Sequence, residues 1–183
     1  MAIITLKNNS LSSVTELPSG ISGQNYPAFY AKLNSDQTAT DDTTTKLALT
    51  GEIFDTNGCY NNTGSTVTLN GISVPSYSFA PNVAGKYYIF VQVIVNASST
   101  DNVQRALCKI LKNDTSIAIG DFIVNSTSQA DILTPSVEAI VELNGTSDYV
   151  HAEGYGDVTS DTLRFKGDAT EARTFLGAYR IGD

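Results

Sequence analysis

The amino-acid sequence predicts an all-β fold, and three observations carry the prediction. Ser, Thr and Asn are abundant beside 14 Gly and 5 Pro, with one Met and no Trp, a mixture that favours short strands and many turns over helices. Apolar or alternating runs recur about every ten residues between turn signals, the spacing of a sandwich. The longest run, Tyr87 to Val95 within YSFAPNVAGKYYIFVQVIV, is apolar everywhere except Gln92 and rich in β-branched and aromatic residues. Tyr87, Ile89, Val91, Val93 and Val95 would line one face of that strand, and Tyr88, Phe90 and Ile94 the other. Both faces are therefore expected to leave water, one into a sandwich core and the other under a partner subunit or a covering segment.

The chain of 183 residues suits one domain plus a short appendage, and it is long enough to bury a core without disulfide or metal staples. Residues 1–24 are expected to form an extended docking arm and residues 25–183 the domain. In the arm, Ile3, Ile4, Leu6, Leu11, Val14 and Leu17 are spaced along a polar passage broken by Pro18, Gly20 and Gly23. These residues cannot build a core, and their apolar side chains would be wasted on a free tail, so they are read as a particle-docking segment. The start lacks the apolar run of a secretory leader, and no run approaches the roughly 20 residues of a membrane span. No membrane insertion is expected.

Taken in order, PAFYAKL reads as the first strand, followed by the acidic loop SDQTATDDTTT. KLALTGEIF is expected to form one strand leading to the Asp55-Thr56-Asn57-Gly58 turn. Thr63 to Asn70 alternates and meets Gly71 before the long central run. Ala106 to Leu111 and Ile117 to Val124 flank the turn Lys112-Asn113-Asp114. VEAIVEL places Val137, Ala139, Val141 and Leu143 on one side and Glu138 and Glu142 on the other, so it reads as a strand. With Tyr149 to Tyr155 it is expected to form a hairpin across Asn144-Gly145. TFLGAYRI, Thr174 to Ile181, is the last strand and is expected at the centre of a sheet.

The chemistry legible in the sequence is sparse. His151 is the only histidine, lies in an alternating strand and has no Ser-containing elbow beside it, which reads as a surface or core residue and not as a catalytic base. No spacing singles out a carboxylate pair, so no enzymatic activity and no cofactor are expected. Asp36, Asp41 and Asp42 share one polar loop and are the candidate oxygen ligands for a calcium ion, although the missing D-x-D-x-D-G spacing favours a solvated loop. A net charge of -8 without a basic stripe argues against a nucleic-acid partner. Cys59 and Cys108 lack C-x-x-C spacing and read as ordinary thiols.

Periodicity alone fits an immunoglobulin-like sandwich or a jelly roll. Particular residues add a resemblance. Phe79, Pro81, Gly85, Tyr87 and Phe90 resemble the F-x-x-P-x-x-G-x-Y signature of tumour necrosis factor-like and complement-q globular heads. Ile53 to Gly58 is similar to the turn that precedes it there, CKILKND to that family's strand ending in Lys-Asn-Gly, with Asp114 in place of Gly, and Phe175 to Tyr179 to its closing strand. The resemblance spans Tyr26 to Ile181. It implies an antiparallel jelly-roll sandwich of about ten strands that assembles as a tight homotrimer around a threefold axis. Tyr88, Phe90, Phe175 and Tyr179 are then the candidate trimer-interface residues, with the sandwich core as the alternative place for any one of them.

The arm, MAIITLKNNSLSSVTELPSG, is similar to the N-terminal segments of structural proteins of tailed bacteriophages, particularly those of cyanobacterial and marine hosts. This implies a protein made in the host cytoplasm and carried on the virion surface, with other virion proteins of capsid or tail as partners. The expected function is a non-enzymatic capsid-surface decoration or stabilising protein of the cement or head-fibre kind. The alternative is the receptor-binding tip of a tail fibre or knob that grips a host-surface glycan or protein. An extended arm of this length reaches at most roughly 80 Å and shows neither heptads nor collagen triplets, which favours a head seated near its attachment surface.

Overall fold

The computed structural model describes residues 26–98, 103–124, 130–159 and 161–183. The arm residues Ile3, Ile4, Leu6, Leu11, Val14 and Leu17 lie outside the described residues. The strands are β1 (Ala28–Lys32), β2 (Gln37–Ala39), β3 (Thr45–Lys46), β4 (Gly51–Asp55), β5 (Tyr60–Asn61), β6 (Val67–Leu69), β7 (Ile72–Val74), β8 (Ser78–Phe79) and β9 (Gly85–Gln92). They continue with β10 (Val95–Ala97), β11 (Val103–Lys112), β12 (Thr115–Ile123), β13 (Ile132–Leu133), β14 (Ser136–Leu143), β15 (Val150–Val158), β16 (Leu163–Phe165) and β17 (Phe175–Gly182). Among the described residues there is no helix, and so none long and apolar enough to cross a membrane.

Two antiparallel sheets face each other. One has the order β14-β9-β17-β1-β4, and the other β12-β11-β15-β8-β5 with β3 added on β15. A smaller sheet, β13-β10-β16-β2, and the ribbon β6-β7 complete the jelly roll. The pleat sends Phe29, Tyr87, Ile89, Val91, Leu176, Ala178, Val141 and Leu143 inward from the first sheet, and Phe79, Ala106, Cys108, Ile110, Val150 and Ala152 inward from the second, into one buried cluster. Phe29 stacks on Tyr60 at 4.7 Å and on Phe79 at 4.4 Å. The Tyr60 hydroxyl, buried with its ring, donates to the Leu49 carbonyl at 2.9 Å. Both cysteines are free and buried.

The strand expected over Tyr87 to Val95 divides into β9 and β10, because the Val93 and Ile94 amides leave the ladder for the Pro135 carbonyl and the Thr174 hydroxyl. KLALTGEIF divides as well. Its first part, β3, joins β15, and its second, β4, joins β1, so Leu47 and Leu49 carry the chain through the core from one sheet to the other. The hairpin expected across Asn144-Gly145 does not form: β14 pairs with β9 and β15 with β11. Only Gly145 of that pair has positive φ, and the Asn144 side-chain oxygen instead accepts from the Thr146, Ser147 and Asp148 amides. Those bonds hold a loop that spans the two sheets. Left-handed pairs that do make tight hairpin turns are Asn70-Gly71, between β6 and β7, and Asn113-Asp114, between β11 and β12. The last strand, β17, sits at the centre of its five-stranded sheet, as expected.

Glycines on β15 let the smaller sheet approach. A Cβ at Gly154 would meet the Phe165 ring at 2.8 Å, and one at Gly156 would meet Leu163 at 2.4 Å. Gly154→Ala should therefore lower stability in urea unfolding by about 1–3 kcal/mol through overpacking. Gly182→Ala, which meets nothing within 4 Å, should leave it unchanged.

Candidate interaction face

Alternation in the five-stranded sheet decides what lies on its outer side. Since Tyr87, Ile89, Val91, Leu176, Ala178 and Phe29 point inward, Tyr88, Phe90, Phe175, Tyr179 and Tyr30 must point outward. Register then sets the neighbours: Tyr88 lies opposite Tyr179, and Gly177 stands between Phe90 and Tyr30. Phe54 of β4 extends the row beyond Tyr30. The ring centroids are 5.4 Å apart for Tyr88 and Tyr179, 5.9 Å for Tyr88 and Phe90, 6.2 Å for Phe90 and Phe175, and 5.3 Å for Tyr30 and Phe175. These are edge and tilted contacts of the favourable kind, and they form one continuous aromatic layer. Gly177 is required beneath it, because a Cβ there would sit 2.3 Å from the Phe90 ring.

All four residues singled out from the sequence, Tyr88, Phe90, Phe175 and Tyr179, thus share one face, and none fills the sandwich core. They are half-buried in the protomer, while Phe54 is 46% and Ile140, opposite Tyr88, is 66% exposed. Sequence reading missed Tyr30, Phe54 and Ile140, whose place beside the four depends on strand order and register. Polar groups rim the layer. The Tyr88 hydroxyl donates to the Glu138 carboxylate, and that bond, with a smaller part from burial, holds the phenol above its usual range. Lys32, itself buried, donates to the Asp168 and Glu171 carbonyls at 2.9 and 3.4 Å and so ties down the loop before β17. Within that loop the Asp168 carboxylate accepts from the Glu171 and Thr170 amides, which hold it well below the carboxylate range.

A second exposed apolar strip runs along β12 at the edge of the other sheet, where Ile117, Ile119, Phe122 and Ile123 face solvent. β14 packs beside it closely enough that a Cβ on Gly120 would meet the Ser136 carbonyl at 2.4 Å.

The acidic triplet expected in the first long loop is only partly assembled. Asp36 is separate: its oxygens take the Lys166 ammonium at 2.6 Å and the Gly167 amide at 3.0 Å. Burial alone would raise its carboxyl, but these partners outweigh it and hold the group low. The third carboxylate near Asp41 and Asp42 is Asp157 of β15, with the ligand atoms of the three lying within 4.8 Å of one another. No spacing in the sequence points to Asp157, because only strand placement brings it to that loop. Asp41 accepts from the Val158 amide at 2.8 Å and Asp42 from the Tyr155 hydroxyl at 2.6 Å. Burial, then repulsion from Asp42 and Asp41, raises the Asp157 carboxyl. A shallow hollow of about 220 Å³ lies nearby in sequence, lined by Asn34, Ser35, Asp36, Gln37 and Thr50 among others.

His151 is buried and faces the outer side of the six-stranded sheet. Burial, then the Lys46 charge, pushes its imidazole down to about 4. It is neutral at pH 7, so the 3.8 and 3.7 Å approaches of Asp114 and Glu153 are not ion pairs. Its Nδ1 has no hydrogen-bond partner among the described residues.

No protein-family model and no curated protein matches the sequence. Among solved structures the fold is similar to that of Eiger TNF from S. frugiperda, at 12% identity and a TM-score of 0.51, over 85% of this chain and 92% of that one. It is similar as well to murine APRIL at pH 5.0, at 10% identity and a TM-score of 0.50, over 84% of this chain and 98% of that one. The likeness is one of fold: the chain is a tumour necrosis factor-like jelly roll.

Because burial, and then the neighbouring carboxylates, raise the Asp157 carboxyl, its charge opposes folding at neutral pH. Its raised folded-state pKa means that this group's contribution is most favourable at low pH and is lost as pH rises through the folded value. Asp157→Asn should raise the unfolding free energy measured in urea at pH 7 by a small amount, about 0.5 kcal/mol after solvent screening, and the gain should vanish at pH 3.

Proposed function

We propose, from a tumour necrosis factor-like jelly roll as premise, that this protein is a non-enzymatic virion structural protein whose heads associate as a homotrimer. The observation that carries this reading is the continuous aromatic layer on the five-stranded sheet, with Tyr88, Phe90, Phe175, Tyr179 and Tyr30 left half-buried by a single protomer. Large contiguous aromatic surface is the composition of an interface centre. A threefold ring is closed by head-to-tail contacts, so each protomer must offer two different surfaces. The β12 strip with Ile119 and Ile123, on the other sheet, supplies a second apolar surface of the required kind. The virion assignment rests on the likeness of the arm to phage structural proteins, and it gives the trimer a decoration or stabilising role with residues 1–24 as its attachment.

Native mass spectrometry of the full chain should show three copies. Phe90→Glu combined with Tyr179→Glu should give folded monomers, and a wild-type monomer at micromolar concentration would overturn the trimer. Removal of residues 1–24 should leave the oligomer intact and abolish binding to purified particles; persistent binding would remove the arm from the mechanism.

A further inference from the structure

The chain has a single histidine, so any imidazole-driven response to acid runs through one side chain. Its neighbours on β15, Val150 and Ala152, point into the core, so His151 points the other way, towards what is normally the wet side of the six-stranded sheet. Yet it is only 2% exposed. Every element around it brings a charged or titratable group. Glu153 comes from its own strand, with Oε1 3.7 Å from Nε2, and Tyr149 from the residue just before that strand, with its ring stacked at 6.2 Å. Asp114, in the turn between β11 and β12, brings Oδ1 to 3.8 Å from Nδ1. Lys46 approaches from β3, with its ammonium held by the Ser78 hydroxyl of β8 at 3.2 Å. On β11, Leu111 lies opposite His151 with Lys112 next to it and Lys109 opposite Glu153. Those two lysines are engaged elsewhere, Lys112 with Asp148 and Lys109 with Thr44.

Neither carboxylate is within hydrogen-bond distance, and Nδ1 is the one buried side-chain nitrogen or oxygen without a partner among the described residues. An orphan of this kind calls for an explanation. The carboxylate beside Nδ1, Asp114, is engaged through its other oxygen, since its Oδ2 accepts the Tyr149 hydroxyl at 2.7 Å. Asp114 is also easily displaced. Its side chain is 72% exposed, and it and Asn113 hold left-handed backbone angles of 62° and 48° without being glycine.

We propose that His151 is an acid-triggered release point on the outer face of the six-stranded sheet: on gaining a proton it draws Asp114 away from Tyr149 and loosens the tip of the β11–β12 hairpin. The charged imidazole is disfavoured by its own burial and by Lys46, and its compensation comes from Asp114, whose other oxygen holds Tyr149, with the Glu153 carboxylate 3.7 Å from Nε2. The folded state therefore holds this proton less tightly than the unfolded chain does. The contribution of His151 to stability is complete above the ordinary value of 6.5 and is lost as pH falls from there towards about 4. This device is separate from the aromatic face, which lies on the other sheet.

The test begins with the imidazole NMR signal of the full wild-type chain, titrated from pH 8 to 3.5. It should move well below 6.5, and amide protection in Lys112 to Ser116, corrected for the intrinsic pH dependence of exchange, should fall over the same range. Urea unfolding of wild type and His151→Gln follows. Between pH 7 and 4.5 the wild-type folding constant should fall relative to the variant by on the order of 100-fold, and subtraction of the two curves removes the carboxylates common to both. Asp114→Asn should lower the imidazole midpoint further by removing its counter-charge. An imidazole that titrates at or above 6.5 would overturn the proposal, as would parallel pH curves or protection at the hairpin tip that does not change as pH falls. The wild-type NMR titration decides the matter even if His151→Gln does not fold.

Discussion

The pairing of β9 with β17 at the centre of the five-stranded sheet is the constraint on which the rest depends. Its pleat divides every neighbouring side chain between two sides, and each side is demanding. The inner residues Tyr87, Ile89, Val91, Leu176 and Ala178 close the sandwich, and the second sheet covers them. The outer residues Tyr88, Phe90, Phe175 and Tyr179 are aromatic as well, yet among the described residues no second layer covers them. They shelter one another across Gly177, which reduces the apolar area facing water without removing it. A one-residue slip in register would exchange the two sets and put the tyrosine hydroxyls into the core. The same pairing therefore secures the fold and presents the surface for which we propose a partner.

Polar groups in this jelly roll are mostly used to hold loops in place. Buried Asn61 donates to the Ser65, Val74 and Pro75 carbonyls and accepts from Thr63, which anchors the chain on both sides of the β6-β7 ribbon. Lys32 does the same for the loop before β17, and Asp148 for the crossing between β14 and β15. Burial would raise Asp148, but bonds from Asn113, Lys112 and Asn144 outweigh it and keep the carboxylate charged. Against this background His151 stands out, because its surroundings are charged and still leave one nitrogen without a partner. The aromatic face and the histidine sit on different sheets, so the association and the acid response that we propose involve separate surfaces.

Much of this was legible from residue pattern. Alternation in Tyr87 to Val95 assigned inner and outer residues correctly, and VEAIVEL was a strand with its apolar side inward. Turn chemistry was a weaker guide, since Asn70-Gly71 makes a tight hairpin and Asn144-Gly145 does not. The difference lies in backbone angles and in the Asn144 side chain, which satisfies three amides of its own loop. The acidic loop showed the same limit. Asp36 stood close to Asp41 and Asp42 in the chain, but Lys166 claims it, and Asp157 takes its place.

By itself, then, the sequence determined the all-β class, the two-faced central strand and the inward and outward residues along Tyr87 to Val95 and VEAIVEL. These depend on side-chain period and composition, which are local. Only the tertiary structure decided which strands are neighbours: that β14 joins β9, that KLALTGEIF changes sheets, that Tyr30, Phe54 and Ile140 extend the aromatic face, and that Asp114 and Lys46 surround His151. Pairing between distant strands is set by how whole faces bury against one another, and no short stretch of residues contains that information.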